Sequence, residues 1–299
     1  MSVAGANIDR LPPLAFTSIE RRGGLSYDQF VNEYRNPGRP VIFTDLTKDW
    51  PALGKYSPEF FRQHHGKRPV TIGNRVYHLD DFLDLLENST ADHPAPYPCK
   101  LDMRGEYADL TADAPRPKLA LPDRTRSILL PSQFLAGSAD LEVFIGGPGG
   151  EFPYIHYDYL GFYAYINQVY GEKEFYVYPP GQEEFLYVDE ENRWLSKVNN
   201  TFHPDLGKFP LFAHARPVIE VLGPGETLFI PCGTWHTARS KTVSISVAFD
   251  QLCSSNWNFY SNEIVRLYYH RGWKRAAVKT FFAAVGAILK VKEHLAGHR

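Results

Sequence analysis

Between Leu141 and Phe249 the chain breaks into six short runs, LEVFIGG, YAYINQV, EFYVYPP, PVIEVL, ETLFIP and VSISVAF. Each is rich in β-branched or aromatic residues and is followed by glycine, proline or an acidic turn, a pattern that reads as strands. Strands this short satisfy their backbone groups only by pairing with one another. The expected core is therefore an antiparallel sandwich or barrel. A chain of 299 residues, 43% hydrophobic and 22% charged, has the apolar content to fill it.

The flanks read differently. LSYDQFVNEY offers Ser26 as an N-cap with Phe30, Val31 and Tyr34 at helical spacing, and SPEFFRQHHG offers Ser57 as N-cap, Pro58 in the first turn and Gly66 as a stop. Val41 to Thr44 and RPVTIG read as strands, and LDDFLDLLENS as a further helix. Residues 90–126, rich in Pro, Asp, Ala and Arg, read as a long excursion without a core of their own. Helix returns after Asn256, where VKTFFAAVGAILKV sets Phe281, Phe282, Val285, Ile288 and Leu289 on one expected face. These shifts divide the chain into a helix/strand region (1–125), a β region (126–255) and a helical segment (256–299).

The opening MSVAGANIDRLPPLAF has neither the basic start nor the apolar run of a leader, and Thr280 to Leu289 is too short to cross a bilayer, so the expected setting is cytoplasmic without a transmembrane segment. Cys99, Cys232 and Cys253 stand far apart with no CxxC pair and are expected as reduced thiols. From Arg266 to Arg299 there are eight Lys/Arg against the single acid Glu293. That tail suits a packing or dimerisation helix, a helix lying on a membrane surface, or a nucleic-acid contact.

The chemistry-bearing stretch is PYIHYDYLGFY, residues 153–163. On a strand, His156 and Asp158 project to the same side and can reach one point. Alone, such a triplet is equally served by a hydrogen-bonded pair. Far downstream, GPGETLFIPCGTWHTARS brings Trp235-His236 after a buried strand and a turn. With His236 the set becomes two histidines and one carboxylate, the arrangement that leaves positions open on non-haem Fe(II). Such a site carries net positive charge and attracts an anionic chelating co-substrate. Lys173, just after the tight turn YGEK, is either an exposed turn lysine or an inward cation for the far end of a dicarboxylate.

GRPVIFTDLTKDWPA, FIGGPGGEFPYIHYD, NQVYGEKEFYVYPP, GPGETLFIPCGTWH and SISVAFDQLCSSNWNF, in this order, resemble the JmjC-type, cupin-like Fe(II)/2-oxoglutarate dioxygenases over Gly38 to Phe259. The resemblance implies a mainly β fold with flanking helices: a double-stranded β-helix (jelly-roll) core with N-terminal α/β elements and C-terminal helices. It implies that His156, Asp158 and His236 bind Fe(II), that Lys173 pairs with the distal carboxylate of 2-oxoglutarate, and that O2 is consumed. Tyr97 falls where many members place a tyrosine against 2-oxoglutarate, and Asn167 and Ser246 are candidate polar neighbours. Members usually carry Thr or Ser where this chain has Pro153, so a hydroxyl from Tyr97, Tyr154 or Tyr163 is needed in its place. The implied reaction is hydroxylation of a protein, peptide or amino-acid side chain, most like the lysyl-hydroxylase branch. Demethylation, tRNA-base hydroxylation, a cupin that uses no 2-oxoglutarate and a non-catalytic binding module are the alternatives. Substrate choice is expected from residues 90–126 and 181–216, and a homodimer through the C-terminal helices is the expected assembly.

Overall fold

The computed structural model of the chain describes residues 14–135, 141–269 and 271–295. The opening residues without a leader pattern, and the last four of the basic tail, lie outside them. In chain order the strands are β1 (Glu20–Arg22), β2 (Val41–Phe43), β3 (Pro69–Ile72), β4 (Arg75–His78), β5 (Cys99–Asp102), β6 (Glu142–Gly146) and β7 (Tyr154–His156). They continue as β8 (Tyr163–Tyr170), β9 (Lys173–Tyr178), β10 (Leu195–Asn199), β11 (Val218–Leu222), β12 (Thr227–Ile230), β13 (Trp235–Ser240) and β14 (Ser244–Gln251).

A seven-stranded sheet runs in the order β1-β2-β12-β8-β14-β6-β5, and a five-stranded sheet in the order β10-β7-β13-β9-β11. From β6 to β9 the chain changes sheet at every strand, and it does so again from β11 to β14, which is the winding of a jelly roll. The six runs read from sequence are β6, β8, β9, β11, β12 and β14. The partners β7, β10 and β13 are short or polar and complete the second sheet.

Period-two alternation separates two cores. Ala164 and Ile166 of β8, Leu228 and Ile230 of β12, Phe175 and Val177 of β9 and Ala238 of β13 fill the space between the sheets. Tyr163, Tyr165 and Val169, with Phe229, Val247 and Phe249, pack outward against the N-terminal region. The larger sheet is thus covered on both faces.

The N-terminal elements are ordinary consequences of their caps. Ser26 and Gln29 form a reciprocal capping box for α1 (Tyr27–Phe30), which runs on into a π turn at Val31–Arg35. After the single turn α2 (Ala52–Lys55), Ser57 caps α3 (Pro58–His65) through the Phe60 amide, and α4 is Leu79–Glu87. The excursion at 90–126 holds more order than its composition suggests: Cys99–Asp102 pairs with β6 and extends the large sheet. Four residues of alternation are too few to stand out among so many prolines. The sheet is therefore continuous across residue 125.

Helices α5 (Trp257–Tyr268) and α6 (Gly272–Leu295) close one end over Leu130, Phe134, Leu160 and Phe162. Phe282, Val285 and Leu289 are buried and Phe281 is partly so, whereas Ile288, expected on the same face, is exposed. It lies too far round the helix from that stripe. Near the end of α6, Glu293 receives a two-pronged pair from Arg124, Nε to Oε1 at 2.6 Å and Nη2 to Oε2 at 2.8 Å, both residues buried. Breaking such a pair leaves a buried charge. Glu293→Ala is expected to cost about 3 kcal/mol in urea unfolding, and Arg124→Met/Glu293→Leu to cost less than either single change.

Candidate metal centre

β7 ends at His156, and the turn beyond it sets the carboxylate. Asp158 opens three residues, Tyr159–Gly161, closed by the Gly161 amide donating to the Asp158 carbonyl at 2.9 Å. Leu160 (φ 61°) and Gly161 (φ 71°) are both left-handed. A Cβ on Gly161 would lie 2.1 Å from the Phe259 ring, so glycine is demanded by conformation and by space.

His236 arrives on β13, the middle strand of the smaller sheet, directly opposite His156. The turn before it uses Gly233 at φ 73°. His236 Nδ1 lies 2.9 Å from the Thr234 carbonyl, which can only accept, so Nδ1 carries the proton and Nε2 is left with a free lone pair. That is the tautomer a metal ligand needs.

The two imidazoles stand 4.4 Å apart between centroids, and one ligand atom from each of His156, Asp158 and His236 lies within 4.8 Å of the others. His156 Nδ1 and Asp158 Oδ2 are closed off from solvent and bond to nothing, although other atoms of both residues reach the surface. Burial, then the nearby His236, holds the His156 imidazole well below its usual range, and burial pushes the Asp158 carboxyl up. The unpaired Asp158 oxygen, the free His236 Nε2 and the His156 imidazole held neutral meet closely enough to fit a divalent cation, which takes neutral imidazole and carboxylate oxygen together. Phe152 stacks on the His156 ring at 4.8 Å, and Tyr154 and Trp194 meet it edge-on.

Lys173 faces inward from β9, opposite Ser240 of β13, and is 4% exposed. Its ammonium lies over the rings of Phe144, Tyr97 and Phe175 at 5.1, 5.5 and 5.6 Å, and no carboxylate pairs with it among the described residues. Burial, with help from Lys100, lowers its pKa to about 7. The Tyr97 hydroxyl beside it is buried and unpartnered. Gly146 makes room for that ring, since a Cβ there would sit 2.5 Å from Ser240 Oγ and 2.7 Å from Tyr97. A cation and a free hydroxyl in a closed pocket fit a carboxylate.

The other expected residues divide. Asn167 does not face this interior. One residue out of phase, it lies with Tyr165 on the outward side of β8, donating to the Tyr165 and Val247 carbonyls and accepting from Thr227. Its amide ties three strands together and has no part in the site. Ser246 faces inward but gives its hydroxyl to Gln168 at 2.6 Å. Pro153 is exposed. Of the three candidate hydroxyls, Tyr163 bonds Ser255 in the outward layer, Tyr154 stands against His156, and Tyr97 is the one beside Lys173. Phe144 and Ser240 were not picked out from the sequence, although Ser240 follows His236 by four residues and therefore shares its side of β13. Nor was Trp194, which ends the acidic run DEENRW.

His156→Ala and Asp158→Ala are each expected to lose stoichiometric Fe(II) or Co(II), measured by metal analysis after dialysis, while melting within a few degrees of the parent. Each change removes a buried polar atom that no protein group satisfies. Retained metal in both variants would displace the site.

Among the described residues no helix is long and apolar enough to cross a membrane. A family model described as a cupin-like domain matches residues 27–262. Lysine-specific demethylase 8 of Danio rerio is 28% identical over 75% of this chain and 56% of its own. tRNA wybutosine-synthesizing protein 5 of Homo sapiens is 26% identical over 77% and 76%, and the human bifunctional peptidase and (3S)-lysyl hydroxylase JMJD7 is 25% identical over 74% and 79%. The chain spans about half the length of the demethylases it matches. With the jelly roll, the His-Asp-His cluster and a model match over most of its length, the chain belongs to the JmjC-type, cupin-like family.

Proposed function

We propose that the chain is an Fe(II)- and 2-oxoglutarate-dependent oxygenase that hydroxylates a protein, peptide or amino-acid side chain, releasing succinate and carbon dioxide. The observation that carries this reading is the buried Lys173 ammonium, without a counter-ion among the described residues, facing the same interior as the metal-ligating cluster. When bound, iron with oxygen and 2-oxoglutarate supplies a two-electron oxidation of a C–H bond, one oxygen atom entering the product and the other succinate.

The protein's own residues do the positioning. His156, Asp158 and His236 would hold the iron from one side. Lys173 lies opposite Ser240, four residues along β13 from His236, or about 13 Å of strand, a gap that a five-carbon diacid and the lysine side chain cover together. Lys173 and the Tyr97 hydroxyl would take the distal carboxylate, and Phe144, Phe152 and Phe175 keep water from it. Tyr154, Tyr159 and Trp194 wall the mouth, where Lys100 is paired with Glu142 at 3.3 Å. That lining suits a side chain better than a phosphate backbone. The relatives' names include lysine demethylation and lysyl hydroxylation, which favours the same substrate class.

Succinate formation with Fe(II), ascorbate and 2-oxoglutarate against a peptide and amino-acid panel tests the reaction. No succinate and no 2-oxoglutarate binding would overturn it. Only the protonated amine pairs with a carboxylate, so 2-oxoglutarate affinity, followed by calorimetry, is expected to fall as pH rises through about 7, approaching tenfold per pH unit. Lys173→Met is expected to weaken binding at least about tenfold and to remove that slope. In the ligand-free protein the sign is opposite. The folded amine holds its proton less tightly than the unfolded one, so stability rises from pH about 7 towards 10.5.

For α6 we propose a second copy of the chain as the partner. Its outer side leaves Trp273 (76%) and Leu295 (81%) exposed together with Ile288 and Val291, with Ala277, Thr280 and Ala284 between them. An antiparallel pair centred on Ala284 sets Ala277 against Val291 and Thr280 against Ile288, small onto large, with Trp273 against Leu295 at each end. Light scattering is expected to give a dimer that Ile288→Glu converts to monomer; a monomeric parent protein would refute the pairing.

A further inference from the structure

We propose that Asn256 is a positioning residue for Asp158, and that through it α5 is a working part of the metal centre. This rests on the reading of His156, Asp158 and His236 as metal ligands. Asp158 Oδ2 bonds to no protein group, so the carboxylate is aimed mainly by the backbone turn that carries it. Two consecutive left-handed residues make that turn unfavourable by itself, and Leu160 is not glycine. Something outside the turn must hold it.

Contacts from α5 and its N-cap converge there. Asn256 Nδ2 donates to the Gly161 carbonyl at 3.0 Å and to the Gln251 carbonyl at 3.0 Å, while its Oδ1 accepts from the Cys253 amide at 2.8 Å. The Phe259 ring lies on Gly161, filling the space a side chain would need. Leu160 is buried with Trp257, Tyr260 and Ile264. Tyr159 and Tyr268 share a hydroxyl hydrogen bond at 2.7 Å, and Phe259 meets Tyr157 edge-on.

The use of Asn256 is itself informative. An asparagine at a helix N-cap ordinarily accepts from the second or third amide of its own helix. Here no side-chain cap bond forms, because both ends of the amide are committed to the Asp158 turn, the end of β14 and Cys253. The residue is buried, and its bonds reach across 95 positions to the turn that carries a metal ligand. Asn256 is thus spent on the geometry of the carboxylate and not on starting α5.

The test is a Co(II) titration of the full chain, followed by visible absorption, with the melting temperature of each protein measured alongside. Parent protein is expected to bind one ion and Asp158→Asn to lose it. Asn256→Asp, which keeps the acceptor but loses both donor bonds, and Phe259→Ala, which withdraws the ring from Gly161, are expected to weaken Co(II) binding by about ten- to a hundredfold with an altered absorption band. Phe282→Leu, in the same helical core but away from the turn, is expected to lower the melting temperature and leave Co(II) affinity within about twofold. Parent-like affinity in Asn256→Asp, or in Phe259→Ala should Asn256→Asp not fold, would overturn the proposal. So would an equal loss in Phe282→Leu, which would mean that general stability sets the affinity. A parent protein that binds no Co(II) would instead overturn the ligand reading, and the proposal with it.

Discussion

A lysine ammonium held between two β-sheets, with no anion paired to it among the described residues, is the constraint to which the rest of this structure answers. A pKa lowered from 10.5 to about 7 corresponds to a cost on the order of 5 kcal/mol for keeping Lys173 charged where it is. Three ring faces at 5.1 to 5.6 Å return about 0.5 to 2 kcal/mol each at best. The apolar residues of that interior, Ala164, Ile166, Val177, Leu228, Ile230 and Ala238, offer it no charge. Folding alone leaves this group dissatisfied. The same is true of His156 Nδ1, Asp158 Oδ2 and the Tyr97 hydroxyl. These four groups fall into two sets, one fit for a cation and one for an anion, and two ligands of opposite charge would relieve both.

The sheets support this unequally. The larger sheet is packed on both faces and serves as a rigid wall. The smaller sheet carries the ligands, with His236 on its middle strand and His156 opposite it, so these two side chains inherit the precision of paired backbone. Asp158 lies beyond the end of β7 and lacks that support. An imidazole on a central strand needs little besides a carbonyl to fix its tautomer, which Thr234 provides. A carboxylate on a strained turn needs a buttress from another element, and the helix after β14 lies against it.

Much of this was legible in the sequence, for reasons that also explain the omissions. Six hydrophobic strands identified the sandwich because burial forces a composition on them. His156 and Asp158 stood out through period two, and Trp235-His236 through the turn before it. Asn167 was misassigned because a shift of one residue on a strand exchanges the two faces, and in a sheet buried on both sides hydrophobicity does not tell them apart. β5 was missed because an edge strand of four residues carries little pattern. Tyr97 was marked by resemblance alone; its closeness to Lys173 depends on the glycines at 146 and 150, whose missing side chains a sequence shows only as turn signals. Trp194 was hidden in acidic company, although one large aromatic in a charged loop is itself a sign of contact.

Shape is a poorer guide to this protein than chemistry. A cavity of about 620 Å3 between α5 and α6, bordered by Ser255, Asn258, Lys279 and Lys290, holds none of the groups left without partners. The His-Asp-His cluster sits instead in a narrow mouth crowded by Phe152, Tyr154 and Trp194. A wide polar groove can be satisfied by water and so places no demand on a ligand. A tight interior with an unpaired ammonium and unpaired metal-ligand atoms cannot, because water that entered would have to be ordered against aromatic walls. What marks the candidate site is that the buried polar atoms left unsatisfied there belong to side chains able to share one metal ion.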